Sequence, residues 1–433
     1  MSSKEGDGEG HIKAVKGMPD LLPPASRRMA KLEAISHRVL RTYGYAEIRT
    51  PVVEYTPLFA RSIGDTSDIV EKEMYTFLDR DERSLTLRPE GTAGIARAYI
   101  EHAINKIEPA TSWYYLGPMF RHERAQRGRY RQFFQLGAEF LGVESPSADA
   151  EMLAMLAYLL GEMGLESAEL HLNSLGCQKC RPEYRQKLIE YLKPRKSELC
   201  EDCSRRFVEN PLRVLDCKKD ECTRVSGDAP QTLELICPDC KEHWEGVLLD
   251  LETLQVDFEV NHRLVRGLDY YTRTTFEIIG NTGELGTQNT LGGGGRYDCL
   301  IEQLGGEPTP AVGFALGLER ILLALPTDRP VLSPLAQVFV VTRGEEARRS
   351  ALPLVEALRR EGISTVMDLR QGSVKSQMKR ADRLGSELAL ILGEQELQKG
   401  LITLRRMSAS EQEEVPRQDV VPRLLAILKE EGQ

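Results

Sequence analysis

Arginines, glutamates and aromatic residues alternate between Trp113 and Gly142, whose middle reads FRHERAQRGRYRQF. The apolar runs Trp113–Phe120 and Tyr130–Leu141 predict two antiparallel strands joined by a basic loop. Alternate residues of a strand share a face, so one sheet surface would carry Arg121, Glu123, Gln135 and Glu139. Such a surface offers guanidinium forks for phosphates, and carboxylates for an amine or a metal. The competing interpretation is a solvated charged hairpin, which the interleaved aromatic residues disfavour.

A second charged group lies where a predicted strand, Ser84–Leu87, runs into a helix that begins near Thr92. Helix N-termini concentrate unpaired backbone N–H groups. We expect Glu90 to bind a substrate ammonium at this junction, with the Thr92 hydroxyl as a second acceptor. The alternative is an ordinary helix start in which both residues are structural.

A third group is the sequence RGLDYY at 266–271, which precedes the predicted strand Thr272–Ile279. In an extended chain Tyr270 and Tyr271 would point to opposite faces, so we expect one to line a pocket while the other packs in the core. Leu291–Asp298, LGGGGRYD, predicts a glycine turn. Thr309–Ala324 predicts a strand that turns into a helix, with Arg320 near the helix start.

The elements around these groups follow from hydrophobic periodicity. Pro24–Tyr43 predicts an amphipathic helix, Glu47–Val53 an edge strand with Pro51 inside it, and Ala148–Leu165 an apolar helix. From Gln337 onward, strands and helices alternate, which predicts a small α/β domain with a mostly parallel sheet.

Composition sets limits on the class of protein. The 433 residues are 41% hydrophobic and 28% charged, as in ordinary globular proteins of two or three domains. The net charge of −9 means that any RNA binding must use local basic patches. We find no apolar run of transmembrane length and no apolar signal core in MSSKEGDGEG, so we expect a cytoplasmic protein without membrane contact.

Eight of the nine cysteines come in pairs within a charged segment at 177–245. Three pairs are spaced CxxC and one CxxxxC, a spacing typical of tetrahedral structural zinc sites. They could form two four-thiolate sites or one site with spare cysteines; buried free thiols and a redox pair are the alternatives. The pairs are Cys177/Cys180, Cys200/Cys203, Cys217/Cys222 and Cys237/Cys240.

The segment FRHERAQRGRYRQF resembles motif 2 of the class II aminoacyl-tRNA synthetases, in the form found in histidyl-tRNA synthetases. It departs from the usual pattern at Ala125, where the family has Pro, and at Phe134, where many bacterial members have His. The helix and strand near Pro51 resemble motif 1, which forms the homodimer interface in the family. Residues 309–324 resemble motif 3, and RGLDYY resembles the second histidine-specific motif of the histidyl family.

This resemblance implies a fold class and a domain order. It implies an α+β catalytic domain built on an antiparallel sheet with flanking helices, a mostly helical insertion, and a C-terminal α/β domain of the anticodon-binding type. We predict a disordered tip at 1–10, the catalytic domain at 11–176 and 246–326, the cysteine-rich insertion at 177–245, a linker at 327–333 and the C-terminal domain at 334–433.

The resemblance also implies roles for single residues. Arg121 and Arg266 would be catalytic and would contact both histidine and the reacting phosphate. The histidine site would add Glu90, Gly91, Thr92, Gln135, Glu139, Tyr270 and Tyr271. ATP would contact Arg121, Glu123, Arg129 and Arg320. Arg124 and Gln126 would face the acceptor end of the tRNA.

The implied activity is that of a histidine–tRNA ligase. It would use L-histidine, ATP with Mg²⁺ and tRNA(His), act as a homodimer, and possess structural Zn²⁺ only if the cysteine pairs bind metal. One alternative is an inactive synthetase paralogue that acts as a regulatory subunit of histidine biosynthesis. Another is a zinc-containing RNA-binding protein without catalysis.

Overall fold

The computed structural model describes residues 12–64, 67, 69–208, 210–281, 289–326, 335–370, 372–409 and 411–431. It divides into two compact units, one up to Asp328 and one from Arg329 onward. The predicted tip at 1–10 and linker at 327–333 lie outside the described residues. Within those residues no helix is long and apolar enough to cross a membrane.

The first unit is built on an eight-stranded sheet with the strand order β1-β5-β6-β11-β10-β9-β7-β8. All neighbours are antiparallel except the pairs β1/β5 and β7/β8. A smaller antiparallel sheet has the order β2-β4-β3. The strands are β1 Ala46–Glu47, β2 Val53–Tyr55, β3 Tyr75–Leu78, β4 Ser84–Leu87, β5 Thr111–Phe120, β6 Gln132–Leu141, β7 Glu169–Ser174, β8 Glu259–Val260, β9 Thr272–Ile279, β10 Thr290–Arg296 and β11 Ala311–Gly317.

Helices flank this sheet and also fill the cysteine-rich segment, so the predicted antiparallel α+β architecture is confirmed. Helix α9 runs through position 245, and the exact limits of the inserted subdomain stay a prediction. The helices are α1 Ala25–Thr42, α2 Thr56–Ile63, α3 Thr92–Glu101, α4 Pro146–Glu162, α5 Arg181–Leu192, α6 Glu201–Arg206, α7 Leu212–Leu215, α8 Asp220–Gly227, α9 Pro238–Thr253, α10 Leu300–Gln303 and α11 Leu318–Ala324.

The two faces of the central strands have opposite character, because successive side chains alternate across a strand. Leu136 and Ala138 of β6, Phe314 of β11 and Phe276 of β9 are buried in one apolar core with α1, α4 and α9. The opposite face carries Gln135 and Glu139 of β6. In register with them lie small residues of β11: Gly313 pairs with Glu139 and Gly317 with Gln135.

The predicted glycine turn at Leu291–Asp298 is wrong, because Thr290–Arg296 is the strand β10 between β9 and β11. Glycine is uncommon inside strands, but here it leaves room for charged side chains. A Cβ on Gly293 would lie 2.9 Å from Arg266 Nη1, and one on Gly313 in β11 would lie 1.7 Å from Glu139 Oε2. The absence of side chains at these two glycines therefore leaves the space that Arg266 and Glu139 occupy on this face of the sheet.

The predicted single strand Glu47–Val53 is also wrong. The chain forms two short strands that join different sheets, because β1 pairs with β5 whereas β2 pairs with β4. Pro51 has no N–H to donate to a ladder and lies in the crossing between the sheets.

The second unit is a five-stranded sheet with the order β13-β12-β14-β15-β16. The strands β13, β12 and β14 are parallel, as predicted, whereas β15 and β16 are antiparallel, so the sheet is mixed and not mostly parallel. The connection from β14 to β15 is too short for the crossover that parallel strands need. The elements are β12 Val338–Thr342, α12 Glu345–Arg360, β13 Thr365–Met367, α13 Val374–Arg383, β14 Leu388–Leu392, α14 Glu394–Lys399, β15 Leu401–Arg406, β16 Gln412–Pro416 and α15 Val420–Glu431.

A buried ion pair joins β10 to α4 beneath the glycine strand. The side chains of Arg296 and Asp149 are both 0% exposed, and Arg296 Nε lies 3.0 Å from Asp149 Oδ2. Arg296 also donates to the carbonyl oxygens of Val143 and Ser145. The guanidinium is thus desolvated, and its charge is balanced by Asp149 and by the partly buried Asp298, whose Oδ1 lies 3.2 Å from Arg296 Nη1.

Asp149→Ala should lower the free energy of unfolding by about 3–5 kcal/mol, because it removes the fully buried partner of a buried cation and leaves only Asp298 beside it. The measurement is the shift of the urea-unfolding curve. Glu245→Ala is the matched control, since Glu245 pairs with Lys241 at 3.9 Å on the surface, where the change should stay below about 1 kcal/mol. Equal shifts in the two variants would contradict the assignment.

Candidate active site

A cavity of about 500 Å³ lies over the charged face of the large sheet. It brings together most of the residues that the sequence singled out, from Glu90 to Arg320 along the chain. Those that line it are Glu90, Thr92, Arg121, Glu123, Arg129, Gln135, Glu139, Arg266, Tyr270, Tyr271 and Arg320.

Three predicted residues are not among the lining residues of the described chain. Gly91 lies behind the wall at the N-cap of α3, where a Cβ would fall 2.2 Å from the Tyr115 ring. Arg124 and Gln126 are exposed in the loop between β5 and β6. The sequence therefore located the loop correctly, but these two residues are exposed, whereas Glu123 and Arg129 of the same loop line the cavity.

Glu90 is held at the start of α3, as the strand-to-helix junction predicted. Its carboxylate accepts hydrogen bonds from the backbone N–H groups of Thr92, at 2.6 Å, and Ala93, at 2.8 Å. Burial raises the pKa of Glu90, while these two N–H donors and the nearby Arg121 act in the opposite direction. The carboxylate thus caps the helix and retains lone pairs for a further donor.

Glu139 is a fully buried carboxyl group of the cavity. It accepts hydrogen bonds from the hydroxyls of Thr92, at 2.7 Å, and Tyr297, at 2.5 Å. Burial raises its pKa to about 8, and the charge of Glu90 contributes in the same direction. A buried carboxyl group poised near neutrality in a cleft is typical of a functional site, and a cationic ligand would favour its ionised form.

Arg121 and Arg266 enter the cavity from different segments, and each is oriented by a neighbour. Arg121 Nε donates to the Pro89 carbonyl at 2.8 Å, and its guanidinium lies 5.4 Å from the centre of the Phe133 ring. Arg266 forms an ion pair with Glu277 on β9. Both guanidinium groups are therefore fixed before any ligand arrives.

Two further arginines lie close enough to repel each other. Burial lowers the pKa of Arg320, and the positive charge of Arg129 lowers it further. Arg129 Nη1 lies 3.3 Å from Glu123 Oε2. Cations held near one another in a cleft create a positive potential that a polyanion such as a triphosphate would relieve.

The expectation that Tyr270 and Tyr271 point to opposite faces is wrong. Strand β9 begins only at Thr272, so the preceding chain is free to turn both rings into the cavity. Their ring centroids are 4.6 Å apart, and Tyr297 lies 5.7 Å from Tyr270. Gln135, opposite them, accepts a hydrogen bond from the Tyr115 hydroxyl at 3.2 Å.

Sequence reasoning missed several residues of the cavity. Tyr297 follows the glycine run, which was interpreted as a turn, and Glu277 lies inside a β-branched strand without any distinctive motif. The helical insertion also reaches the cavity, and no local pattern indicated this. Its contributions are Arg213, Asp216 and Lys218.

The eight paired cysteines form two groups of four, one joining Cys177 and Cys180 to Cys237 and Cys240, the other joining Cys200 and Cys203 to Cys217 and Cys222. Within each group all four sulfur atoms lie within 4.8 Å of one another. The spacing left open two four-thiolate sites or one such site with spare cysteines. The geometry favours two sites, because each of the eight cysteines belongs to one of the two groups.

The antiparallel sheet with an arginine-lined cavity is the architecture of a class II aminoacyl-tRNA synthetase. The family model described as Histidyl-tRNA synthetase matches residues 17–321, and the model described as Anticodon binding domain matches residues 337–427. The chain belongs to the histidyl-tRNA synthetase family.

Two curated relatives that match this chain over nearly their whole length are both named "Histidine--tRNA ligase". The chain is 49% identical over 414 residues to "Histidine--tRNA ligase" of Syntrophotalea carbinolica, covering 96% of this chain and 98% of the relative. It is 48% identical over 409 residues to the protein of the same name from Desulforamulus reducens, covering 94% and 97%. These likenesses favour the ligase over the regulatory paralogue and over a non-catalytic RNA-binding protein.

Solved structures agree on the fold. Apo histidyl-tRNA synthetase of S. aureus superposes with a TM-score of 0.79 at 38% identity, covering 95% of this chain and 99% of that one. An ATP phosphoribosyltransferase regulatory subunit/histidyl-tRNA synthetase from Bacillus halodurans reaches 0.65 at 22% identity, covering 89% and 99%. The second likeness shows the shared fold alone.

Glu139→Gln should stabilise the protein relative to wild type, and more so at pH 9 than at pH 6. The folded-state pKa of about 8 lies above the value of about 4.3 for an unfolded glutamate. Stability from the protonated carboxyl is therefore complete below about pH 4.3 and is lost as the pH rises through about 8. The neutral amide avoids this loss, so its melting-temperature gain over wild type should grow by an amount on the order of a few °C between pH 6 and about pH 8 and stay level above that.

The measurement is the melting temperature of both proteins between pH 6 and pH 9. Glu245→Gln, at an exposed carboxylate, should show the same difference from wild type at every pH. A pH-independent difference for Glu139→Gln would contradict the shifted pKa.

Proposed function

We propose that this chain activates L-histidine with ATP to give histidyl-adenylate and pyrophosphate, and then transfers histidine to the 3′ end of tRNA(His). The observation that carries the proposal is the convergence of Arg121, Arg266 and Arg320 with Glu90 and Glu139 on one cavity. A cavity of this kind suits an amino acid beside a nucleoside triphosphate.

The first reaction is an in-line displacement at phosphorus. A carboxylate oxygen of histidine attacks the α-phosphorus of ATP, the new O–P bond forms, and pyrophosphate leaves with the electrons of the broken P–O bond. The protein's part is to position the reactants and to stabilise charge. Arg121 and Arg266 act at the α-phosphate, Arg320 at the γ-phosphate, and Glu123 and Arg129 near the rest of the nucleotide.

The amino-acid end of the cavity supplies anions and neutral polar groups. Glu90 and Glu139 pair with the ammonium of histidine. Thr92 lines the cavity beside them, and Gly91 leaves room there for the Tyr115 ring. Gln135, Tyr270 and Tyr271 surround the side chain, one of them in a hydrogen bond to the imidazole. Buried polar partners of this kind reject apolar side chains of equal size, because these would leave the partners unpaired.

Class II synthetases generally use ATP together with Mg²⁺. Mg²⁺ prefers oxygen ligands, and in nucleotide sites it is usually bound by the phosphates of the substrate together with one or two protein carboxylates. Glu277 lines the cavity and offers such a carboxylate, although it also pairs with Arg266. The bound ion would neutralise triphosphate charge, while Arg266 supplies a fixed positive charge at the reacting phosphate.

The loop between β5 and β6 serves the tRNA. Arg124 and Gln126 are exposed in the loop whose residues Glu123 and Arg129 line the cavity, a position that suits the acceptor end. The second unit, which matches the anticodon-binding family, would contact the other end of the tRNA.

A cytoplasmic homodimer completes the proposal. Val53, Tyr55 and Phe77 of the small sheet are 37%, 54% and 45% exposed. Their register places them on one face, an apolar surface that a second copy would cover. A sedimentation mass of one chain at micromolar concentration would contradict the dimer. We also propose that the clustered cysteines bind zinc in a structural role, since four thiolates leave no open coordination position.

Arg266→Ala should lower histidine-dependent ATP–pyrophosphate exchange by about 10²–10³-fold, because it removes a preorganised cation from the reacting phosphate. The exchange rate is measured at saturating histidine and ATP, with circular dichroism to verify the fold. Arg83→Ala is the control: its side chain is 53% exposed and pairs with Asp79, away from the lining, and it should keep the wild-type rate. Wild-type exchange in Arg266→Ala would refute the role.

The double variant Arg124→Ala/Gln126→Ala should separate the two half-reactions. Amino-acid activation should persist, whereas the kcat/KM for tRNA should fall about tenfold and depend less steeply on salt, because a phosphate contact is lost. Exchange and tRNA charging are measured on the same preparation. A parallel loss of both activities would contradict the assignment.

A further inference from the structure

The cysteine-rich segment forms two compact sulfur clusters with the dimensions of metal sites. Cys177 Sγ lies 3.8 Å from the sulfurs of Cys180 and Cys237, and Cys180 Sγ lies 3.9 Å from that of Cys240. In the second cluster the Cys200 and Cys217 sulfurs are 3.9 Å apart. Zn–S bonds of about 2.3 Å in a tetrahedron separate two sulfurs by roughly 3.8 Å.

These distances exclude disulfides, whose sulfurs are bonded at about 2.05 Å, and all of these cysteines are free. Backbone donors already point at sulfur in both clusters. The N–H of Cys177 lies 3.2 Å from Cys180 Sγ, and that of Cys200 lies 3.2 Å from Cys222 Sγ. Such N–H···S contacts favour thiolates, the form that zinc binds.

The first cluster closes the base of the insertion. Cys177 and Cys180 follow β7, where the chain leaves the large sheet, and Cys237 and Cys240 lie at the start of α9, where it returns. Cys177 and Cys237 are 60 positions apart, so the chain between them forms a loop whose ends a metal would hold together. Closing a long loop removes much freedom from the unfolded chain.

The second cluster lies within the insertion and brackets the part of it that reaches the cavity. Cys203 and Cys217 flank α7, which carries Arg213. Cys217 itself stands between Asp216 and Lys218, and both of these line the cavity. A metal bound to Cys217 would therefore fix the backbone of two lining residues directly.

Contacts of α7 continue to the RGLDYY segment. Arg213 donates to the carbonyl of Gly267, next to Arg266, and Arg263 Nη2 donates to the carbonyl of Leu215 at 3.3 Å. Asn210 Nδ2 lies 3.4 Å from Asp269 Oδ1. The short helix α7 has only four residues, so its own hydrogen bonds stabilise it little, and it depends on such outside support.

We propose that each chain binds two zinc ions in these four-cysteine sites, and that the second ion is a positioning element of the catalytic cavity. It holds Arg213, Asp216 and Lys218 over the nucleotide end of the cavity, beside Arg266. This positioning role rests on the proposed function, whereas the two metal sites do not.

The experiment compares the full-length wild type with single variants, purified without chelators, by native mass spectrometry and elemental analysis. Wild type should carry two zinc ions per chain. Cys240→Ser and Cys217→Ser should each retain one, and Cys299→Ser, at the cysteine outside both clusters, should retain two. A metal-free wild type with reactive thiols, or a Cys217→Ser variant with two ions, would overturn the two-site assignment.

Histidine-dependent pyrophosphate exchange then tests the positioning role. Cys217→Ser should lower the kcat/KM for ATP about 10–100-fold, as expected from misplaced binding groups. Cys217→His, which offers zinc another ligand, should restore the second ion and most of the activity, and Cys299→Ser should match wild type. Unchanged kcat/KM in a one-zinc Cys217→Ser variant would overturn the positioning role.

The two failures are distinguishable. Two zinc ions per chain without any histidine-dependent exchange would reject the proposed function and leave the metal sites standing. Should Cys217→Ser fail to fold, the stoichiometry of wild type and Cys299→Ser still decides the number of sites. Cys217→His then decides the positioning role. The role requires that this variant bind two zinc ions and have a kcat/KM for ATP close to that of wild type. Two bound ions together with the 10–100-fold lower kcat/KM expected for misplaced binding groups would overturn the role.

Discussion

The strict alternation of side chains across the central antiparallel strands is the constraint on which the rest of the structure depends. One face of β6, β9 and β11 packs into an apolar core, so the opposite face cannot also be apolar without being covered. At its centre that second face carries glycine together with Gln135 and Glu139, and at its end Leu141 and Ala311 pack in a second apolar cluster. A register shift of one residue would exchange the two faces and remove both core and cavity at once.

Glycine and burial together explain why the cavity holds unusual charges. Gly313 and Gly293 leave space where a Cβ would collide with Glu139 and Arg266. The side chains that occupy the space are cut off from water, and this raises the pKa of Glu139 to about 8. Their opposite charges and fixed hydrogen bonds prepare the site for a ligand that carries both an ammonium and phosphates. The raised pKa of Glu139 and the close spacing of charged groups in the cavity are thus consequences of the fold.

Local sequence was enough to predict the β5–β6 hairpin, from its two-residue alternation, and the strand β9, from its β-branched residues. The start of helix α3 followed from the junction after a short strand. Local sequence failed where tertiary context overrides local preference. The run of glycines in β10 has low strand propensity and becomes a strand only because β9 and β11 pair with it on both sides. Tyr297, Glu277 and the residues around Cys217 reach the cavity through long-range packing, which no window of sequence contains. The cysteine spacing predicted metal-like pairs, but only the fold determines which pairs meet.

The central claim is that the converged cavity recognises histidine together with ATP, and pyrophosphate exchange with a full set of amino acids tests it most directly. The account predicts exchange that depends on histidine and is at background level with each of the other nineteen. An absence of exchange with histidine, or equal rates with other amino acids, would contradict it.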